Sequence, residues 1–420
     1  MAQAKGESQR TLLIGGMVLL ALIIIVAAVF LYASLTSKPP QGPLSAEEIA
    51  RRYSEAVVFI EAGWKLIDTG SGRQLYHAHF LNEEAESNAS TGADGPGGAG
   101  EAAPKRVKVF EGLGQKIPLY MQVGGKVQPL LIGTDGGGLH NPIGGQSAGS
   151  GFVVRSDGFI LTNRHLASAW ETAYVWPAET GPGLLIDETG KKEGKRLAFE
   201  DLPRDWVPGT STALAESVRY EKRQKRLVPK LLKSRAVLEG RFDYLDVLFA
   251  RTKLRTRARL VRSSDRHDVA LIKVDLPQAL KTVEINPNYG GIGQGAKAVV
   301  LAYPAAALEP GGLRQPRDLT APGAQARVLP DPAVDEGHVV TIHKGGQPIR
   351  GVDYAVEFGD SFELSFRSMG GGSSGGPVFD DRGRVFALLY ATRTAREAPA
   401  SFAVPISYAA EIMNLGRVTQ

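Results

Sequence analysis

From Gly151 onward the apolar residues of this 420-residue chain come in short runs closed by turn residues, the pattern of strands and tight turns. Phe152-Val153-Val154, then Ser156-Asp157-Gly158, then Phe159-Ile160-Leu161-Thr162 reads as a hairpin with an Asp-Gly turn. Val269-Ala270-Leu271-Ile272-Lys273-Val274 and Ala298-Val299-Val300-Leu301 are further strand candidates. A second hairpin-like unit runs from Val378-Phe379 across Asp381-Arg382-Gly383 into Val385-Phe386-Ala387-Leu388-Leu389. Many short strands with turn signals predict a β-sandwich or barrel. Gly 50 and Pro 25 also favour turns over long helices. A hydrophobic content of 43% is enough to bury a core. The length allows one large unit with insertions or two smaller ones.

The N-terminal part reads differently. Residues 12–33 form a run of 22 residues without a charge. As a helix it would rise about 33 Å, enough to cross a hydrocarbon core of about 30 Å. It is too long for a typical signal-peptide apolar region, and no clean small-residue cleavage site follows it. The expectation is a retained transmembrane helix over 11–33, after a tail at 1–10. Lys5 and Arg10 before the run point weakly to a cytoplasmic N-terminus and an extracytoplasmic bulk, periplasmic in a bacterium. Pro39-Pro40-Gln41-Gly42-Pro43 makes 34–44 an extended linker. Ser45 with Glu48 reads as the capping box of a helix start, and Ala56-Val57-Val58-Phe59-Ile60 as a strand. Residues 83–104 are expected to be a flexible loop of small and polar residues. The chain has no cysteine, which excludes disulfides, thiolate metal sites and cysteine nucleophiles. Its net charge of +5 is mild for this length, so no nucleic-acid partner is expected.

Chemistry concentrates in three places. Gly372-Ser373-Ser374-Gly375-Gly376-Pro377 offers a hydroxyl flanked by glycines, whose freedom lets successive backbone N–H groups point at a developing oxyanion. His165 ends an apolar strand, and Asp268 opens another. Each alone is an ordinary residue in an ordinary position. The remaining histidines, His77, His79, His140, His267, His338 and His343, lack such a context. In the order His165, Asp268, Ser374 the three follow the chymotrypsin-type arrangement rather than that of subtilisins or α/β-hydrolases.

These segments resemble the trypsin-like serine peptidases, and within them the HtrA/Deg branch. Gly149-Ser150-Gly151-Phe152-Val153-Val154 through Leu161-Thr162-Asn163-Arg164-His165-Leu166 is similar to that branch's histidine motif. Asp268-Val269-Ala270-Leu271-Ile272-Lys273-Val274 is similar to its aspartate motif, and Gly372 to Pro377 to its serine motif. Ser401-Phe402-Ala403-Val404-Pro405-Ile406 resembles the strand closing the second barrel. The resemblance implies an all-β fold of two packed six-stranded barrels. It makes Ser374 the nucleophile, His165 the general base, and Asp268 the group that holds the imidazole. It also implies an oxyanion hole from the backbone of Gly372 and Ser374, and Tyr390-Ala391-Thr392 as the strand on which substrate pairs. The reaction implied is hydrolysis of peptide bonds in protein or peptide substrates through an acyl-enzyme, with no metal or organic cofactor. A place in protein quality control or regulated proteolysis would follow, with oligomerisation left open. The rival readings are a catalytically silent, membrane-anchored peptide-binding scaffold and an esterase. The order of the three residues speaks against the second.

Several features depart from that branch. Between His165 and Asp268 lie 102 residues, so 176–241 must hold an insertion. It carries a basic run, Arg219, Lys222, Arg223, Lys225, Arg226, Lys230, Lys233 and Arg235, read either as a solvated helix or as a contact for anionic headgroups or an acidic partner. Arg255, Arg257 and Arg259 alternate with small residues like the outer face of an edge strand. The first barrel is expected over 45–278 and the second over 279–420, ending in a short helix and without a PDZ domain. Ser373 stands where digestive trypsins carry an aspartate that pairs with a newly cut N-terminus, so competence without cleavage is expected.

Overall fold

Two closed six-stranded antiparallel barrels form the frame. The computed structural model describes residues 42–82, 116–177, 180, 182–189, 194–232, 236–286, 288–305, 328–345, 359–393 and 399–413. In the first barrel the strands are β1 (Val57–Asp68), β2 (Gly144–Arg155), β3 (Phe159–Thr162), β4 (Leu238–Phe249), β5 (Arg255–Ser263) and β6 (Ala270–Val274). They run in the ring order β4-β5-β6-β3-β2-β1, and β1 pairs back onto β4 from Val58↔Phe249 to Asp68↔Leu238. In the second they are β7 (Lys297–Ala302), β8 (Ala333–His343), β9 (Ser361–Leu364), β10 (Pro377–Phe379), β11 (Arg384–Arg393) and β12 (Ala400–Pro405). The order there is β11-β10-β7-β8-β9-β12, closed by β11 on β12.

Alternation decides what each barrel encloses. Val58, Ile60 and Ala62 of β1 meet Val153, Ile160, Leu245, Val247, Ala270 and Ile272 inside the first barrel. Ala298, Val300, Val339, Phe362, Leu364, Val378, Phe386, Leu389 and Ala403 fill the second. Closure pairs every strand of each ring with a neighbour on both sides along at least part of its length. Arg255, Arg257 and Arg259 do face outward, but β5 lies between β4 and β6, so the edge-strand expectation is corrected.

The Asp-Gly hairpin forms as β2 and β3, with Gly158 N–H donating to Arg155 O at 3.0 Å. The capping box forms as well: Glu48 N–H donates to Ser45 Oγ at 3.2 Å, and Ser45 N–H to Glu48 Oε2 at 2.8 Å. It starts helix α1 (Ala46–Tyr53), whose Tyr53 ring stacks on Phe379 of the second barrel with centroids 5.0 Å apart. The helix that precedes the first barrel in sequence is therefore seated on the second, so a boundary at 278 divides the sequence but not the packing.

The sequence reading did not anticipate a third body. His79–Leu81, Lys116–Val123, Gly183–Ile186, Lys195–Leu197 and Lys126–Pro129 make one small sheet. Asn141–Pro142, Tyr76–His77, Leu131–Ile132, Leu214–Glu221 and Arg226–Leu231 make another. Ile117, Leu119, Met121, Leu130, Leu184, Ile186, Ala215 and Leu227 share one core between them. Much of the chain before β2 thus joins the insertion rather than the first barrel, while residues from Leu238 return to the barrel as β4. The basic run is not helical within the described residues. It lies on the hairpin Leu214–Glu221/Arg226–Leu231, where Glu221 pairs with Arg219 at 3.0 Å and Arg226 at 2.8 Å, and Glu216 pairs with Lys230. Lys233, Arg235 and the loop expected at 83–104 lie outside the described residues.

An aromatic seam joins this module to the first barrel. Trp64 of β1 packs against Trp170 at 5.9 Å, and Tyr174 packs against Trp206 at 5.3 Å. All four rings are buried, and truncating one such ring to alanine costs about 3–5 kcal/mol. Among the described residues no helix is long and apolar enough to cross a membrane, and the run at 11–33 lies outside them.

Candidate active site

The register of β3 on β6 brings His165 to Asp268. Thr162 faces Ala270, so the chain leaving β3 and the chain entering β6 run side by side at one end of the barrel. Asn163 Nδ2 donates to the Asp268 carbonyl at 2.8 Å, and His165 opens its ring from the short helix α2 (Arg164–Ala167). The Asp268 carboxylate then takes two donors from one residue: the His165 backbone N–H on Oδ1 at 2.9 Å and the imidazole Nδ1 on Oδ2 at 2.7 Å. A carboxylate on Nδ1 requires the proton to sit there, which leaves Nε2 with a lone pair. The aspartate loop is braced from behind: the His267 ring stacks on Tyr408 at 3.9 Å, and Ser264 Oγ donates to Glu411 at 2.6 Å.

The serine loop is held by its carbonyls. Gly371 O accepts the Ala305 N–H at 2.6 Å, and Ser373 O accepts the Gly376 N–H at 3.0 Å. Gly372 O accepts the Ser150 hydroxyl at 2.9 Å, and Ser374 O accepts the Ser150 N–H at 2.6 Å. The N–H groups of Ser373 and Gly375 donate to Gly370 O and Leu389 O, at 3.0 and 2.7 Å. The N–H groups of Gly372 and Ser374 donate to no acceptor among the described residues. Those are the two donors expected from the sequence. The backbone conformation demands glycine on both sides: Gly372 sits at φ +92° and Gly375 at φ +85°. A Cβ at Gly375 would stand 2.0 Å from the Ser150 carbonyl oxygen.

Strand β2 carries contacts that tie the end of β3 to the serine loop. Thr162 Oγ1 donates to Ser150 O at 2.8 Å while the Ser150 N–H donates to Ser374 O, so one residue touches both ends of the site. Gly149 lies between Leu166 and the Ser374 carbonyl, where a Cβ would come within 2.2 Å of the leucine and 3.0 Å of the oxygen. The Ser374 hydroxyl itself donates to the Tyr390 carbonyl at 3.1 Å. Tyr390 is buried beside Asp268. Burial pushes its phenol up to about 12, with the hydroxyl of Ser361 opposing that rise and the Asp268 carboxylate adding to it.

Tyr390, Ala391 and Thr392 lie on β11. One edge of that segment pairs with β12, at Ala391↔Phe402 and Thr392↔Ser401. Strand β10 covers the other edge only from Val385 to Leu388, so beyond Leu389 no described strand pairs there. The residue that sequence reading passed over is Ser150. It stood inside the quoted histidine motif, between two glycines, but nothing in the local pattern shows which loop it reaches.

Residues 233–388 match the family model of the trypsin-like peptidase domain. That trypsin-like stretch contains Asp268 and Ser374 and begins after His165. Among solved structures, the chain is similar to a variant of the HtrA-type protease AlgW with a decapeptide, at 13% identity and a TM-score of 0.42, over 90% of this chain and 68% of that one. It is also similar to AlgW with a decapeptide, at 14% identity and a TM-score of 0.40, over 88% and 66%. The chain thus spans about two thirds of the length of those proteins. No curated protein matches it in sequence.

Proposed function

We propose that this protein is a membrane-anchored serine endopeptidase that cleaves protein or peptide substrates through an acyl-enzyme. The observation that carries the reading is the pairing of an imidazole whose Nδ1 proton is fixed by Asp268 with a serine loop presenting two unused N–H donors. Ser374 Oγ attacks the scissile carbonyl carbon as its proton passes to His165 Nε2, for which the hydroxyl turns away from the Tyr390 carbonyl. The C–O bond forms as the carbonyl π pair moves onto oxygen, and the N–H groups of Gly372 and Ser374 receive that charge. Collapse breaks the C–N bond, and His165 delivers its proton to the departing amine. Water then repeats the sequence on the acyl-serine. An extended substrate lies along the open edge of β11 at Tyr390-Ala391-Thr392, where main-chain hydrogen bonds hold it regardless of side chain.

The run at 11–33 holds the enzyme to a membrane with its catalytic part on the extracytoplasmic side. The test of the chemistry uses a fluorophosphonate probe and labelled casein on the purified full-length protein. Labelling is expected to map to Ser374, and Ser374→Ala abolishes both labelling and cleavage while the thermal transition stays in place. Labelling at another residue overturns the assignment of Ser374, and none in a folded wild-type protein overturns the reading in favour of a silent peptide-binding scaffold.

A further inference from the structure

Ser150 is fully buried on β2, its hydroxyl and N–H engaged across the junction of the barrels and its carbonyl within the first. Its hydroxyl donates to Gly372 O at 2.9 Å and accepts the Tyr303 N–H at 2.9 Å, just past the end of β7. Its N–H donates to Ser374 O at 2.6 Å, and its carbonyl accepts Thr162 Oγ1 at 2.8 Å, three residues before His165. Of the carbonyls that fix the serine loop, Ser150 thus holds those of Gly372 and Ser374.

We infer that Ser150 is a positioning residue of this active site, its side chain and backbone together holding the Gly372–Ser373 and Ser374–Gly375 peptide planes, which flank the plane that bears the Ser374 N–H. The inference rests on the endopeptidase reading above. Glycine at φ +92° leaves the plane after Gly372 free to turn, and a turn there breaks the Ser373 N–H bond to Gly370 O and displaces the next plane, which carries the Ser374 N–H. The Ser150 hydroxyl opposes that turn because its bond to Gly372 O is lost in the turned form. The bond from Tyr303 N–H in turn locks the hydroxyl, so its proton has one acceptor to face. A donor preset in this way stabilises charge as it develops without reorganising first, whereas it adds nothing to ground-state binding.

The test compares wild type with Ser150→Ala and with Ser150→Cys, which keeps the size but donates weakly. Casein cleavage by the full-length Ser150→Ala protein is expected to lose about 10- to 100-fold in kcat, with KM moved less than about 2-fold, because only the aim of the donors changes. The fluorophosphonate labelling rate at Ser374 falls in parallel, since the phosphonyl oxygen uses the same donors. The pH profile keeps its shape, because the bonds between His165 and Asp268 are untouched. Ser150→Cys lies between the two. Wild-type kcat and labelling in either folded variant overturns the inference, as does a loss that appears in KM or displaces the pH profile. Failure of both variants to fold also overturns it, because the residue is then structural. A wild-type protein that neither labels nor cleaves refutes the endopeptidase reading instead.

Discussion

Asp268 grips His165 twice, through the backbone N–H and through Nδ1, so the carboxylate fixes both where the imidazole stands and which nitrogen bears the proton. Replacing it with asparagine keeps the shape but offers an amide N–H to one of those contacts, and the tautomer that carries its proton on Nδ1 is no longer favoured. Asp268→Asn is therefore expected to lower kcat for casein by about four orders of magnitude with little change in thermal stability. Retention of more than a tenth of the wild-type rate contradicts the role assigned to Asp268. At this scale most of the site was legible. His165 and Asp268 each sit at a strand end, and glycines surround Ser374, because strained or exposed positions demand particular residue types. Ser150 was not legible, since a serine's partner across a barrel junction leaves no trace in the residues beside it.

Elements of the inserted module carry a second titratable group of a different kind. His77 and His79 lie on its two sheets, with ring centroids 5.0 Å apart. His77 Nε2 donates to Leu119 O at 2.9 Å, His79 Nδ1 donates to His77 O at 2.8 Å, and the His79 N–H donates to His140 Nδ1 at 3.0 Å. Burial, reinforced by His79, pushes His77 down to about 3, and burial alone accounts for most of the fall of His79 to about 4. Both folded values lie below the ordinary histidine value of about 6.5, so as pH falls through that value the unfolded chain takes up protons and the folded one does not. Stability is fully present above about pH 6.5 and declines as pH falls toward the folded values, by up to about 1.4 kcal/mol per pH unit for each ring. Urea midpoints of the full-length protein are expected to fall between pH 7.5 and 5.5, and His77→Gln, which keeps a donor for Leu119 O, flattens that slope. An unchanged slope in the variant shows that the fall originates elsewhere. The module stayed hidden in the sequence because its strands are short and its pairs join distant segments, as at Leu214↔Leu131 and Leu184↔Leu119. The basic run forms a hairpin and not the solvated helix for a related reason: the pairing of Leu214–Glu221 with Arg226–Leu231 leaves no mark in its charges.

At the scale of the molecule, the described residues from Ser45 onward form one compact unit in which the residues of the candidate site come from both barrels. His165 and Asp268 belong to the first, Ser374 to the second, and Ser150 reaches from one to the other. Helix α1 rests its Tyr53 on Phe379 of the strand that leaves the serine loop. The anchor proposed at 11–33 predicts that alkaline carbonate extraction of membranes leaves the full-length protein in the pellet. Recovery of a soluble form beginning after Ala33 indicates a cleaved leader instead.

Local chemistry was sufficient for what the sequence alone determined: the β class, the Asp-Gly hairpin, the capped helix, and the histidine, aspartate and glycine-flanked serine. Each of those is decided by backbone geometry or by alternation within a few residues, and that information is carried by neighbours along the chain. Closure of each sheet, the assembly of the inserted module, the seating of α1 on the second barrel and the grip of Ser150 on the serine loop were decided only in three dimensions. These depend on which distant strands pair and which buried polar groups find partners. The free energy of such contacts is set by the whole packed arrangement and not by the residues on either side.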